Sequence, residues 1–261
     1  MSAARKFEEY ERELERGRVS VRIAGSGTYN GDVLRASGST RVEGDLTLSE
    51  ARVSGSFTCI GSIDASLTSF SGSTRITGDL VADAIRASGS LSVGGDLNAR
   101  ATARLSGSTA VSGTLGSGEV RVSGSLRAGR VRCSKLVASG SLRVEGDVEC
   151  EYFELEAWGR CRIGGVLKSK SIHVRGGERR TIIRIGFIEI SSVGRRKGVL
   201  EVKRIEGEEV DLEYTECEEV RGVRVRIGKG CIVRGNVYYV EHVEVDPSAN
   251  IQGRVVTVEK L

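Results

Sequence analysis

Histidine is nearly absent, and cysteine lacks any ligand pattern. His173 and His242 are the two histidines of 261 residues, and the six cysteines form neither a Cys-x-x-Cys pair nor a Cys/His cluster. A zinc site needs such spacing, so no metal and no cofactor is expected. No run of 18 apolar residues and no secretory leader is present, so a soluble, cytoplasmic protein is expected and membrane insertion is not. The net charge is only +4, with both signs mixed along the chain. That is not a nucleic-acid footprint. The glycine-rich stretch at residues 25–31 lacks the Lys-Ser/Thr of a phosphate-binding loop.

What is present is a beat. Ser-Gly-Ser begins at Ser37, Ser54, Ser71, Ser88, Ser106, Ser123 and Ser139, at steps of 17, 17, 17, 18, 17 and 16 residues. A period this short means one structural unit stacked on copies of itself. Within a unit, apolar residues alternate in short pairs: Leu91 and Val93, Leu80 and Ala82, Ile85 and Ala87. Alternation at period two marks a strand with one buried face. Three such strands per unit, with small corners and no helical segment, predict an all-β fold: a single-stranded parallel β-helix of triangular coils, about 17 residues each. Inward residues should then stack one period apart, Leu80 on Leu97, and Val93 on Ile76 and Val111. Cys133 and Cys150, one coil apart, should be neighbours, either bridged or as packed thiols.

The chain divides into three parts. Residues 1–18 carry five acidic and five basic residues, with Phe7, Tyr10 and Leu14 at helical spacing. They predict a short amphipathic helix that caps the N-terminal end of the stack; partner binding and membrane anchoring are the alternatives. Residues 19–174 are the Gly/Ser-rich β-helix, opening with a shortened coil at 24–36 and closing with a coil at 158–174 that has lost Ser-Gly-Ser. Residues 175–261 continue the β-helix in a charged composition. The segment 181–193 and the basic Arg195, Arg196 and Lys197 suggest a bend or longer loop at the seam. Counted from residue 20, this gives roughly fourteen coils and a rod on the order of 65 Å.

Chemistry finds little foothold. β-helical acyltransferases and carbonic anhydrases need partnered histidines, and His173 and His242 lie in separate coils. Polysaccharide hydrolases and lyases need paired carboxylates in a walled cleft. Asp45, Asp79, Asp96 and Asp147 instead follow glycine, one per coil, and read as corner residues. No serine has a His or Lys companion in the sequence. The outward arginines Arg41, Arg75, Arg127 and Arg143 read as a solvated mixed-charge face, with a binding stripe for an acidic polymer as the alternative. A non-enzymatic role through the two ends of the rod is expected.

The units SGSTRVEGDL, SGSTRITGDL, SGSLSVGGDL and SGSLRVEGDV, with the tail RIEGEEVDLEYTECEEVRGVRVRIGKGCIV, resemble bactofilins, the polymer-forming cytoskeletal proteins, and a longer bactofilin-like subgroup. The resemblance covers most of residues 20–261. It implies a right-handed β-helix, nucleotide-independent end-to-end self-association into filaments or oligomers, and a scaffold role toward other proteins. Bactofilin polymers often use an exposed Phe near the C-terminal end of the core. The last Phe here is Phe187, so Tyr238, Tyr239, Val255, Val256 and Val258 would take that part. A monomeric or dimeric adaptor working through the N-terminal helix or the mid-chain loop is the alternative, and a remote carbohydrate-active enzyme a second.

Overall fold

A computed structural model describes residues 19–176, 180–185, 188–193 and 198–260. Phe7, Tyr10, Leu14, Phe187 and Arg195–Lys197 lie outside the described residues. Sixteen strands are present: β1 (Ser20–Tyr29), β2 (Val33–Glu43), β3 (Leu46–Ile60), β4 (Ile63–Ile76), β5 (Leu80–Val93), β6 (Leu97–Val144), β7 (Val148–Ala157), β8 (Arg160–Gly176), β9 (Arg180–Ile185), β10 (Ile188–Val193), β11 (Val199–Leu212), β12 (Thr215–Ile227), β13 (Ile232–Val233), β14 (Val237–Val245), β15 (Asn250–Ile251) and β16 (Val255–Thr257). From β2 onward, β9 and β10 excepted, they form a parallel β-solenoid of about 12 turns.

The coil follows from the alternation. Leu46, Ile63, Leu80 and Leu97 stand in register on one face. Leu34, Ala51, Thr68 and Ile85 stack on a second. Ile76, Val93 and Val111 continue the third. The stacks of Leu80 on Leu97 and of Val93 between Ile76 and Val111 are those that the period requires. Leu80, Ile85 and Leu97 are fully buried, and each such side chain contributes on the order of 2 kcal/mol. Phe57 and Phe70 stack inside the lumen with centroids 5.6 Å apart.

The Gly-Asp corner is held by a ladder along the stack. Each aspartate accepts the backbone N–H of the next coil: Ser62 N to Asp45 Oδ1 at 2.7 Å, Asp96 N to Asp79 Oδ1 at 2.8 Å, Thr114 N to Asp96 Oδ1 at 2.6 Å, and Val166 N to Asp147 Oδ1 at 2.8 Å. The expected corner role of these aspartates therefore has a specific form. Asn236 does the same work near the C-terminus, its Oδ1 accepting from Arg254 N at 2.8 Å. Asp96→Ala is expected to lose about 1–2 kcal/mol, and Asp96→Asn to retain most of it, because an amide oxygen suffices at Asn236. Denaturant midpoints of the two variants check this.

Two expectations are corrected. Residues 24–36 are not a shortened coil. β1 runs antiparallel to β2, from Ser20 opposite Glu43 to Tyr29 opposite Leu34. The reversal is made at Asn30, whose Oδ1 accepts from Asp32 N at 3.0 Å and Val33 N at 2.7 Å. Asn-Gly is a strong hairpin signal, and it was legible at Asn30-Gly31. Second, the turns number about 12 rather than fourteen, a stack of roughly 55 Å. β9 and β10 form their own antiparallel pair outside the solenoid sheet, and β1 adds no coil. At the seam, the longer loop of the two expected alternatives is what the strands show. The chain leaves the solenoid after Gly176 and rejoins it so that Val199 stands opposite Arg160. Gly140, Ala157 and Gly176 are in register, so the loop departs from the corner that carries Ser-Gly-Ser elsewhere.

Candidate functional site: the open C-terminal coil

The last coil is built from the end of β14 with β15 and β16. Among the described residues no further coil covers the inward columns there. Val210, Val225 and Val243 are in register, as are Leu212, Ile227 and Val245. Cys217, Val233 and Ile251 end the second face, and Val220, Val237 and Val255 the third. Val237 is fully buried, whereas Val245 is 40% and Val255 43% exposed. An apolar cross-section of the core therefore faces outward, rimmed by strand edges that have no partner among the described residues.

The C-terminal candidates divide by this geometry. Val255 lies on the open cross-section. Val256 alternates to the outward side, in register with Tyr238. Tyr238 is engaged within the protein: its hydroxyl accepts from Asn236 Nδ2 at 2.9 Å, and the Arg221 guanidinium lies 5.2 Å over its ring. Tyr239 packs against the core, and the Val258 N–H donates to its carbonyl at 2.8 Å. The sequence reading missed Val243, Val245 and Ile251. Their signal was the period itself, carried forward from Val225, Ile227 and Val233.

The opposite end is different. β1 covers the β2 edge, with Val19, Val21, Ile23 and Tyr29 packed partly against the core. Strand β1 is the cover described on that edge, and the expected capping helix of residues 1–18 lies outside the described residues.

The side faces of the charged half hold their charges in pairs. Asp211 accepts from Arg175 at 2.5 Å and from Arg226 at 2.9 Å. Burial raises its pKa, but the two guanidiniums more than offset this and hold the carboxyl below its ordinary value. Arg224 joins Glu209 and Glu241. A serine does have a histidine companion in space: Ser171 Oγ is 3.0 Å from His173 Nε2, with Asp211 4.0 Å from His173 Nδ1. That carboxylate is drawn to Arg175 and Arg226 rather than hydrogen-bonded to the imidazole. Ser171 also sits in a strand paired on both sides, to Tyr152 and Glu209.

The six cysteines are free thiols. Burial pushes Cys59 up to about 11 and Cys217 up to about 12, the pattern of inert core residues rather than of nucleophiles. Cys133 and Cys150 are hydrogen-bonded to each other, which raises the first and lowers the second. Among the described residues no group of three His, Cys, Asp or Glu side chains could hold a metal, and no helix is long and apolar enough to cross a membrane. Comparisons with protein-family models, curated proteins and solved structures give no match to this chain.

Proposed function

We propose that this chain is a structural, non-enzymatic protein of bactofilin type, which self-associates through the end of its solenoid into nucleotide-independent oligomers or filaments. In this reading it acts in the cytoplasm as a scaffold for other proteins. The supporting observation is the open C-terminal coil, where Val243, Val245, Ile251 and Val255 are the last described residues of four core columns. An uncovered parallel edge over an apolar lumen is a template for further pairing, because joining extends the sheet and the core together. A two-fold joint between two such ends would pair their edges antiparallel and close the lumen on both sides. β1 already lies on the N-terminal edge of β2, so the C-terminal end is the more available of the two.

Sedimentation velocity and negative-stain microscopy of the purified full chain, without nucleotide and across concentration and salt, test this. Dimers, longer oligomers or filaments that grow with concentration are expected. A chain that stays monomeric throughout would leave the adaptor reading in its place.

A further inference from the structure

The Ser-Gly-Ser corner is an exposed ridge along the first seven turns, and arginine follows it on both sides. On one side, two residues before the tripeptide, stand Arg35, Arg52, Arg86, Arg104 and Arg121. They form a single outward column: Arg35 is opposite Arg52, and Arg86 opposite Arg104, with Ser69 between the two groups. On the other side stand Arg41, Arg75, Arg127 and Arg143. Every one of the seven corners has an arginine on at least one flank.

Three carboxylates answer some of them. Glu43 pairs with Arg41, Glu50 with Arg35 and Arg52, and Glu119 with Arg121. Arg75, Arg86, Arg104, Arg127 and Arg143 have no ion-pair partner among the described residues. Like charges in register on adjacent strands are destabilising. In the second half of the same solenoid several arginines are matched, Arg175 and Arg226 to Asp211, and Arg224 to Glu209 and Glu241, while Arg162 and Arg254 are not, among the described residues. The ridge therefore gathers unmatched charge along one line of the stack. Between the arginine columns, the exposed hydroxyls of Ser54, Ser71, Ser88, Ser106 and Ser123 have no protein partner among the described residues.

We propose that this ridge is a binding strip for a linear carboxylated polysaccharide. A straight row of guanidiniums, recurring at a rung spacing of about 4.8 Å, suits an extended chain with one carboxylate per sugar ring. Each guanidinium can grip a carboxylate with two parallel hydrogen bonds. The serine hydroxyls between the columns can donate to and accept from ring hydroxyls. Phe57 and Phe70 are buried beneath the seven corners, and the exposed Trp158 stands one coil beyond Ser141, at the end of the ridge. The ridge thus offers one aromatic face at its end and lacks the run of stacking platforms that a single-stranded nucleic acid would use. The strip is a side face, so it is accessible whether or not the ends associate.

The test measures binding of the full chain to immobilised polygalacturonate, with dextran, polyphosphate, single-stranded DNA and anionic vesicles as comparators. Binding that weakens with salt is expected for polygalacturonate and not for neutral dextran. R86Q/R104Q/R127Q should weaken it by roughly tenfold or more, through lost charge-assisted contacts. The charge-matched variant R100Q/R132Q/R234Q removes arginines that sit in ion pairs off the ridge and should change binding by less than about twofold. All six side chains are exposed, and thermal melts should show both variants folded. R104Q alone should move affinity in the same direction, to a lesser extent. Absent polygalacturonate binding, or equal losses in the two triple variants, would overturn the proposal. Tighter binding of polyphosphate, DNA or vesicles would overturn it in favour of that class.

Discussion

Gly89→Ala is expected to destabilise the solenoid by about 3 kcal/mol, whereas Gly31→Ala loses only about 1 kcal/mol. Both glycines have positive φ, +108° and +92°, so both variants carry backbone strain. The difference is the neighbouring coil. A Cβ on Gly89 would run into the Gly72 carbonyl oxygen, which belongs to the coil below, whereas a Cβ on Gly31 meets nothing within 4 Å. Gly107 in turn approaches the Gly89 carbonyl in the same way. An alanine at Gly89 must therefore push two coils apart while its own backbone is strained. Solenoid stability is a sum of coil and interface terms. The damage should thus show as faster amide exchange in the coils on either side of Gly89, with a lower denaturant midpoint. Equal effects of the two substitutions would show that φ, and not the stacking, makes these corners glycine.

The double substitution Val245→Arg with Val255→Arg is expected to abolish assembly while leaving the chain folded. Both side chains are about two-fifths exposed at the end of the stack, so an arginine at either place can reach water in the monomer. In a joint that closes the lumen, both guanidiniums would be buried without carboxylate partners. The penalty for such burial is several kcal/mol, and about 3 kcal/mol already weakens association by more than a hundredfold. Sedimentation should show monomer at concentrations where the unsubstituted chain associates, with an unchanged far-ultraviolet spectrum. Assembly at undiminished affinity would exclude the C-terminal coil as the joint. The same double variant should bind polygalacturonate as the parent does, because the arginine ridge lies on a side face.

The two proposals fail separately. Loss of assembly without loss of glycan binding would isolate the end; the converse would isolate the ridge. A scaffold that joins at its end and binds a polymer along its side could align that polymer with its own axis.

The order of the core was open to reading because period and coil are the same length. Leu80 meets Leu97, and Val93 meets Ile76 and Val111, since a residue one period away is the neighbour one rung away. The corner aspartates were also legible as to type, though their partners across the rung were not. Cys133 and Cys150 could be placed side by side, but only their geometry distinguishes packed thiols from a bridge.

Other features depend on relations that a one-dimensional period does not encode. The direction of β1 rests on a turn at Asn30 and Gly31, where one local reversal converts an expected coil into an antiparallel cover. The number of turns depends on β9 and β10 pairing outside the stack and the chain rejoining it in register at Val199. The arginine ridge joins two faces across a corner, at positions six residues apart on either side of the bend that the Ser-Gly-Ser glycine makes. The pairing of Asp211 with Arg175 and Arg226 spans 36 and 15 residues. The repeat thus dictated what lies above and below each inward residue, because stacking is a nearest-neighbour property of the chain. What lies around a corner, and where the stack stops with its core uncovered, arose only when the coils closed in three dimensions, because those contacts join places with no common spacing.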